Sequence, residues 1–216
     1  MPEPSTARDE ILNRVRKSTA AADEAQRTHE WIAIQRSFAR KGALNADGRI
    51  ALFSDRLHDY GAGVHQSSQQ QLRTVISNVL AQRGKKTIVV PHAWPEEWMP
   101  IGVEVIRDED LSYDALDHCE GIMTACTVAI ALTGTIVLRG GLLEGHRALT
   151  LIPDYHLCLV EVEQIVELVP EGIERLRPVG TAPLTFISGP SATADIEMIR
   201  VQGVHGPRTL DVVLVR

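Results

Sequence analysis

Apolar residues recur at three- and four-residue steps in some stretches of this chain and run together in short blocks in others. Steps of three and four mark one face of a helix, and short β-rich blocks mark buried strands. In residues 8–40 the first pattern appears twice, as Ile11, Leu12 and Val15 and then as Trp31, Ile34 and Phe38. The stretch between them is helix-prone but nearly without large apolar groups. This arm is read two ways: packed on a partner or a second copy of the chain, or lying as a helix pair over a sheet. Residues 1–7 read as a flexible tail. After breaks at Lys41-Gly42 and at 45–48, Ile50, Phe53, Leu57 and Tyr60 predict a helix stopped by Gly61.

From there the two periods alternate. Residues 64–66 read as a strand. Ser68, with Gln71 three later, reads as a capping box before a helix carrying Leu72, Val75, Ile76, Val79 and Leu80. Residues 87–91 form a buried strand, and strand–helix–strand order predicts a parallel crossover. Strands are expected at 103–106, 121–124 and 135–138, with a short helix at 111–116. Residues 148–152 and 156–160 read as an antiparallel pair, because the link at 153–155 is too short for a crossover. A helix over 163–177, weakened at Pro170, and strands at 184–187 and 211–215 complete the pattern. The expected fold is α/β: a single mixed, mainly parallel sheet flanked by helices over 41–216, with the helical arm before it.

Composition narrows the function classes. The 216 residues are 44% hydrophobic and 23% charged, with a net charge of −6. That balance gives no basic footprint for nucleic acid. No apolar run is long enough to span a membrane, and the opening residues lack the features of a secretory signal. A cytoplasmic location is the default expectation. Cys119, Cys126 and Cys158 make an odd count without cluster or finger spacing. The chain is therefore expected to bind neither an iron–sulfur cluster nor zinc, and its thiols read as buried and reduced.

Candidate chemistry gathers in 184–208. A short apolar strand breaks at Ser188-Gly189-Pro190, and a polar segment follows with Ser191, Thr193, Asp195 and Glu197. Read as a loop feeding a helix start, it offers N–H groups and hydroxyls to a carboxylate or phosphate. The plainer reading is a helix cap, with Ser191 or Thr193 as the capping residue. A second tight loop carries His205, a proton exchanger, and Arg208, a carboxylate clamp, among Gly203, Gly206 and Pro207. Its plainer reading is a rigid turn. Thr133, Gly134 and Thr135 offer hydroxyls and N–H groups at a strand end, or form an ordinary turn. Neither a Walker loop nor a dinucleotide fingerprint is present. Cys126, in a small-residue stretch, reads as a packing residue before a nucleophile.

Three ordered motifs carry a family resemblance: TGTIVL at 133–138, RALTLIPDYH at 147–156, and LTFISGPSATADIE with GVHGPR within 184–208. The chain resembles the LUD-domain family, specifically its lactate utilization protein C branch. The resemblance spans residues 8–216 and is sharpest in the second half. It implies a fold similar to the sugar-phosphate isomerase and CoA-transferase group. It also implies a part in oxidising L-lactate to pyruvate beside iron–sulfur partner proteins. Two positions depart from the family pattern TGxxxAIAETGT: Ala125 stands for a usual Gly and Leu132 for a usual acidic residue. The leading expectation is a subunit binding a small anionic metabolite. Ser188, Gly189, Ser191 and Thr193 would cradle it with Thr133, Gly134 and Thr135, Arg208 would neutralise it, and His205 would handle a proton. Two alternatives stand beside it: a free-standing isomerase, CoA-transferase or ligase on a phosphorylated or CoA-linked substrate, and a non-catalytic scaffold docking through the arm.

Overall fold

The computed structural model describes residues 6–19, 24–194, 200–203 and 205–216. The chain divides into two compact units, residues 1–38 and 39–216. The first holds α1 (Ala7–Thr19) and α2 (Glu24–Ala33), none of whose described residues is buried. At the start of α1 the Thr6 hydroxyl donates to Asp9 at 2.6 Å, and Arg14 pairs with Glu10 one turn back. Ile11, Val15, Trp31 and Ile32 are exposed.

The second unit opens with α3 (Ala46–Asp59). Asn45 caps it by accepting the Gly48 N–H at 2.9 Å, and Ile50, Phe53 and Leu57 form its buried stripe. The strand β1 (Gly63–Ser67) leads to α4 (Leu72–Gln82) and then to β2 (Thr87–Pro91). There follow β3 (Glu104–Asp108), α5 (Tyr113–Asp117), β4 (Ile122–Thr124), β5 (Val128–Ile130), β6 (Thr135–Leu138) and β7 (Tyr155–Glu161). The rest comprises β8 (Ile165–Val166), α6 (Val169–Leu176), β9 (Thr185–Ile187), β10 (Ala192–Ala194), β11 (Arg200–Gln202) and β12 (Thr209–Val215).

The main sheet has six strands in the order β1-β12-β7-β4-β2-β3, and every pairing in it is parallel. Its central strands are buried on both faces, which is why β7 and β12 read as continuous apolar runs. On one face Leu157, Leu159, Val213 and Val215 pack against Leu72, Ile76, Val79 and Leu80 of α4. On the other, Cys158, Val160, Val212 and Leu214 meet α3 and a second sheet. That second sheet has the order β8-β5-β6-β9 and mixes parallel with antiparallel pairs. Val128, Ile130 and Val137 on its outer face are covered by Leu176 of α6. A close approach permits this: a Cβ at Gly172 would lie 2.7 Å from the Ile130 Cδ1. Each fully buried Leu, Ile or Val contributes about 1.5–3 kcal/mol relative to exposure.

The α/β class and the parallel sheet flanked by helices agree with the sequence reading. The strands expected in one sheet instead divide between two. Residues 125–134, expected as a plain link, contain β5, and β5, β6, β8 and β9 form the separate layer.

Four local expectations are corrected. Residues 148–152 are not a strand: residues 147–150 form a 3-10 turn, with Leu149 N–H donating to His146 C=O and Ile152 N–H to Ala148 C=O. The antiparallel pair is therefore absent. The helix expected over 163–177 starts only at Val169, because Pro170 is tolerated in the first turn, while Ile165 and Val166 pair with β5. Ser68 makes no side-chain cap; residues 69–71 form a 3-10 turn, and the Gln69 N–H donates to Arg216 C=O as the β1–β12 ladder runs on. In place of the helix start expected after Ser191, residues 192–194 form β10, paired antiparallel with β11. Asp195, Glu197 and Val204 lie outside the described residues.

No described helix is long and apolar enough to cross a membrane.

Candidate functional site

Two loops that are distant in the ladder converge on one cavity. The first follows β9 and runs through Ser188, Gly189, Pro190 and Ser191; the second precedes β12 and carries His205, Gly206 and Pro207. Gly189 has φ +86°, and a Cβ there would collide with Tyr60 at the end of α3, so only glycine allows this turn. The loops are tied by backbone. Ser191 N–H donates to Pro207 C=O at 2.8 Å, and Gly203 N–H donates to Ser191 C=O at 2.9 Å. The Ser191 hydroxyl accepts the His205 N–H at 3.1 Å, which takes the place of the helix cap expected of it. The expected cradle of free N–H groups is thus partly consumed by strand and loop pairing.

The cavity has a volume of about 220 Å³. Its wall also includes Arg147, Thr150 and His156, and among the described residues no carboxylate lines it. His156 is fully buried on β7 and hydrogen-bonds through Nε2 to the Thr124 hydroxyl at 2.8 Å. Burial pushes its pKa down to about 4, so the ring is neutral at physiological pH. The Ser188 hydroxyl is 2.8 Å from that of Thr135, which is 2.8 Å from that of Thr133, forming a chain of three hydroxyls.

The remaining expected residues lie elsewhere. Thr133 and Gly134 do not line the cavity; Gly134, with φ +58°, sits against the backbone of α3 at Arg56. Thr193 falls in β10. Arg208 does not line the cavity either. It donates to Asp154 at 2.6 Å, and that contact raises its pKa. Arg147 is the arginine that lines the cavity, a residue that stood in the sequence only as the first position of the 147–156 motif.

A larger cleft of about 430 Å³ lies at the carboxyl ends of β4, β7 and β12. The segment 139–145 forms one wall. Its Glu144 is buried, accepts the Thr127 hydroxyl at 2.6 Å through Oε1, and accepts the N–H groups of Arg139 and Gly141 at 2.6 and 3.2 Å through Oε2. On the opposite wall Gln164 donates to the Cys126 C=O at 2.7 Å and accepts the Glu161 N–H at 2.9 Å. The Cys126 thiol is pushed well up by its hydrogen bond with the Cys158 thiol and by burial, which leaves it protonated and inert. Cys126 and Cys158 are buried, while Cys119 is half-buried, and all three are free. A third cavity joins the two regions, sharing Arg139 and Glu144 with the cleft and Arg147 and Thr150 with the loop cavity. Sequence reasoning missed the cleft because β5 was not recognised. The available signal was the preference of open parallel sheets for ligands at their carboxyl ends.

Among the described residues no group of three or more His, Cys, Asp or Glu side chains is arranged to hold a metal ion.

A family model described as the LUD domain matches residues 8–215. The chain belongs to the LUD domain family. Within it, a lactate utilization protein C from Deinococcus radiodurans is 45% identical over 166 residues, covering 76% of this chain and 77% of the relative. Another lactate utilization protein C, from Anoxybacillus flavithermus, is 29% identical over 66% of this chain and 69% of its own length. These relatives set the chain in the lactate utilization protein C branch. The crystal structure of a DUF162 family protein from D. radiodurans matches with a TM-score of 0.70 and 36% identity, over 81% of this chain and all of that one. The position at which the resemblance leads one to expect an acidic residue is Leu132 in this chain. Its side chain is exposed, in the turn between β5 and β6, and it lines none of the three cavities.

Proposed function

We propose that this chain is a subunit of a cytoplasmic system that oxidises L-lactate to pyruvate, and that it binds a small carboxylate in the loop cavity. The observation that carries the reading is the meeting of the 188–191 and 205–207 loops with Arg147 on one cavity, with no carboxylate among the described residues of its wall. The names of the relatives supply the metabolic setting. A cavity of about 220 Å³ is large enough to admit a three-carbon acid. The guanidinium of Arg147 would pair with the carboxylate. The hydroxyls of Ser188 and Ser191 would reach the α-oxygen, and His205 would donate to or accept from it. Conversion of lactate to pyruvate releases two electrons and two protons. In this reading the electrons pass to iron–sulfur partner proteins.

Reconstitution tests this. Purified chain and its iron–sulfur partners should oxidise L-lactate, and omission of the chain should abolish the activity. Undiminished turnover without it would refute the subunit role. A binding titration of L-lactate to the chain alone, lost in Arg147→Ala, tests the cavity separately.

A second reading is a non-catalytic scaffold for those partners. It is favoured by the exposed apolar residues of the first unit, Ile11, Val15, Trp31 and Ile32. Removal of residues 1–38 would then abolish partner capture.

A further inference from the structure

The cleft at the carboxyl ends of β4, β7 and β12 has no part in the loop-cavity reading. Its dimensions fall within the range of small-molecule sites, roughly 300–1,000 Å³, and at about 430 Å³ it has about twice the volume of the loop cavity. Its position is where open parallel sheets bind ligands.

Its chemistry is divided. Leu72 of α4, Leu159 of β7, Val215 of β12, Trp98 and Leu143 give it an apolar and aromatic wall. Leu142 is 82% exposed at its edge, a large apolar side chain held out in the segment that forms the cleft wall. The buried polar groups of the cleft already have partners. Both oxygens of Glu144 accept hydrogen bonds, and Gln164 is engaged at both its nitrogen and its oxygen. A ligand therefore meets no uncompensated buried acceptor there. Arg139 is different. Its side chain lies across Gly141, where a Cβ would approach Nε at 3.3 Å, and its guanidinium has no hydrogen bond or ion pair among the described residues. Glu161, also in the lining, is solvent-exposed, so its charge is screened by water.

We infer that this cleft is a second ligand site, for an organic anion with a flat apolar or aromatic body. The body would lie against Trp98, Leu142 and Leu143, and the anionic group would pair with Arg139. The inference does not rest on the lactate reading and stands if that reading fails.

Calorimetric titration with two probes tests it. One is 1-anilinonaphthalene-8-sulfonate, which carries the body and the charge; the other is N-phenyl-1-naphthylamine, which carries the body alone. Both should bind the full chain. Arg139→Glu should weaken the sulfonate about tenfold or more and leave the uncharged probe nearly unchanged, as loss of one charge-assisted contact predicts. Leu142→Asp should weaken both, and Arg147→Ala neither. Both substituted side chains are solvent-exposed, so the variants are expected to fold. The site is overturned if neither Arg139→Glu nor Leu142→Asp alters binding of the sulfonate, which would place the probe elsewhere. Its anion preference is overturned if Arg139→Glu weakens both probes equally.

Discussion

The Arg83 guanidinium grips the Asp211 carboxylate with two hydrogen bonds, 2.7 Å from Nε to Oδ2 and 2.8 Å from Nη2 to Oδ1. Arg83 ends α4, and Asp211 lies in β12 with its side chain fully buried. Tyr155 donates its hydroxyl to the same carboxylate at 2.9 Å, and His65 Nε2 lies 3.3 Å away. Three elements of the parallel sheet and the helix that covers it thus meet on one charge. Burial alone would push the Asp211 pKa up, but the hydrogen bonds from Arg83, His65 and Tyr155 outweigh it and hold the group well below the usual carboxylate range. The Tyr155 hydroxyl is pushed up, by burial first and by the Asp211 charge second.

Asp211→Asn should therefore cost about 3–5 kcal/mol, the usual result of breaking a buried pair from one side. Denaturant unfolding at neutral pH measures it. The acid limb should change as well. A carboxylate whose folded pKa is depressed gives stability that is complete above its unfolded value of about 3.9 and is lost as pH falls through that value toward the folded one. The wild type should lose stability steeply below about pH 5, and the variant much less.

His156 gives a separate window. Its folded pKa of about 4 lies below the ordinary value of 6.5. The neutral ring is favoured in the fold, so its contribution is present above pH 6.5 and disappears as pH falls through 4. The full span is on the order of 3 kcal/mol. His156→Asn should flatten the stability profile between these two pH values. An unchanged slope there would rule out His156 as its source.

Glu144 closes the 139–145 segment on itself. Glu144→Ala would leave the Arg139 and Gly141 N–H groups and the Thr127 hydroxyl without their acceptor, at a cost of about 1–3 kcal/mol. Hydrogen exchange of residues 139–145 should accelerate while the central strands β7 and β12 stay protected. Uniform acceleration across the domain would mean that Glu144 holds the fold rather than the segment.

The two arginines near the loop cavity should separate cleanly. Arg147→Ala is expected to remove binding of small carboxylates, whereas Arg208→Ala, which loses only the exposed contact with Asp154, should leave it intact. Titration of both variants with L-lactate decides between them.

Every buried hydrophobic side chain among the described residues lies between Ile50 and Val215. Removal of residues 1–38 should leave the 39–216 unit folded, with its thermal transition little changed. A large fall in that transition would show that the first unit contributes to the core.

Some elements were plain from residue order. The stripe Ile50, Phe53 and Leu57 makes α3, and the runs at 87–91 and 211–215 make buried strands. Helical steps and apolar blocks are local signals, and here packing agrees with them. The stretch 148–152 is equally apolar, yet forms a turn, because Leu149 packs into a cluster with Val89, Leu116 and Ile122 that needs only one buried face. Ile165 and Val166 sit in a helix-prone stretch, but Pro170 delays the helix and their partner β5 draws them into a strand. Ser188, Gly189, Ser191 and His205, singled out from small residues and rigid loops, line one cavity, while the arginine that lines it is Arg147 and not Arg208.

That difference between the two arginines marks the division. Residue order by itself determined the α/β class, most of the helices and buried strands, and the two loops that carry site-type residues, because these depend on neighbours a few positions apart. Tertiary structure alone decided which strands share a sheet, that 192–194 pairs with 200–202, and that Arg147 faces the loop cavity while Arg208 turns to Asp154. It also decided where the cleft of Arg139 and Trp98 opens. Those outcomes depend on backbone hydrogen bonds and charge pairings between segments far apart in sequence, which no local pattern encodes.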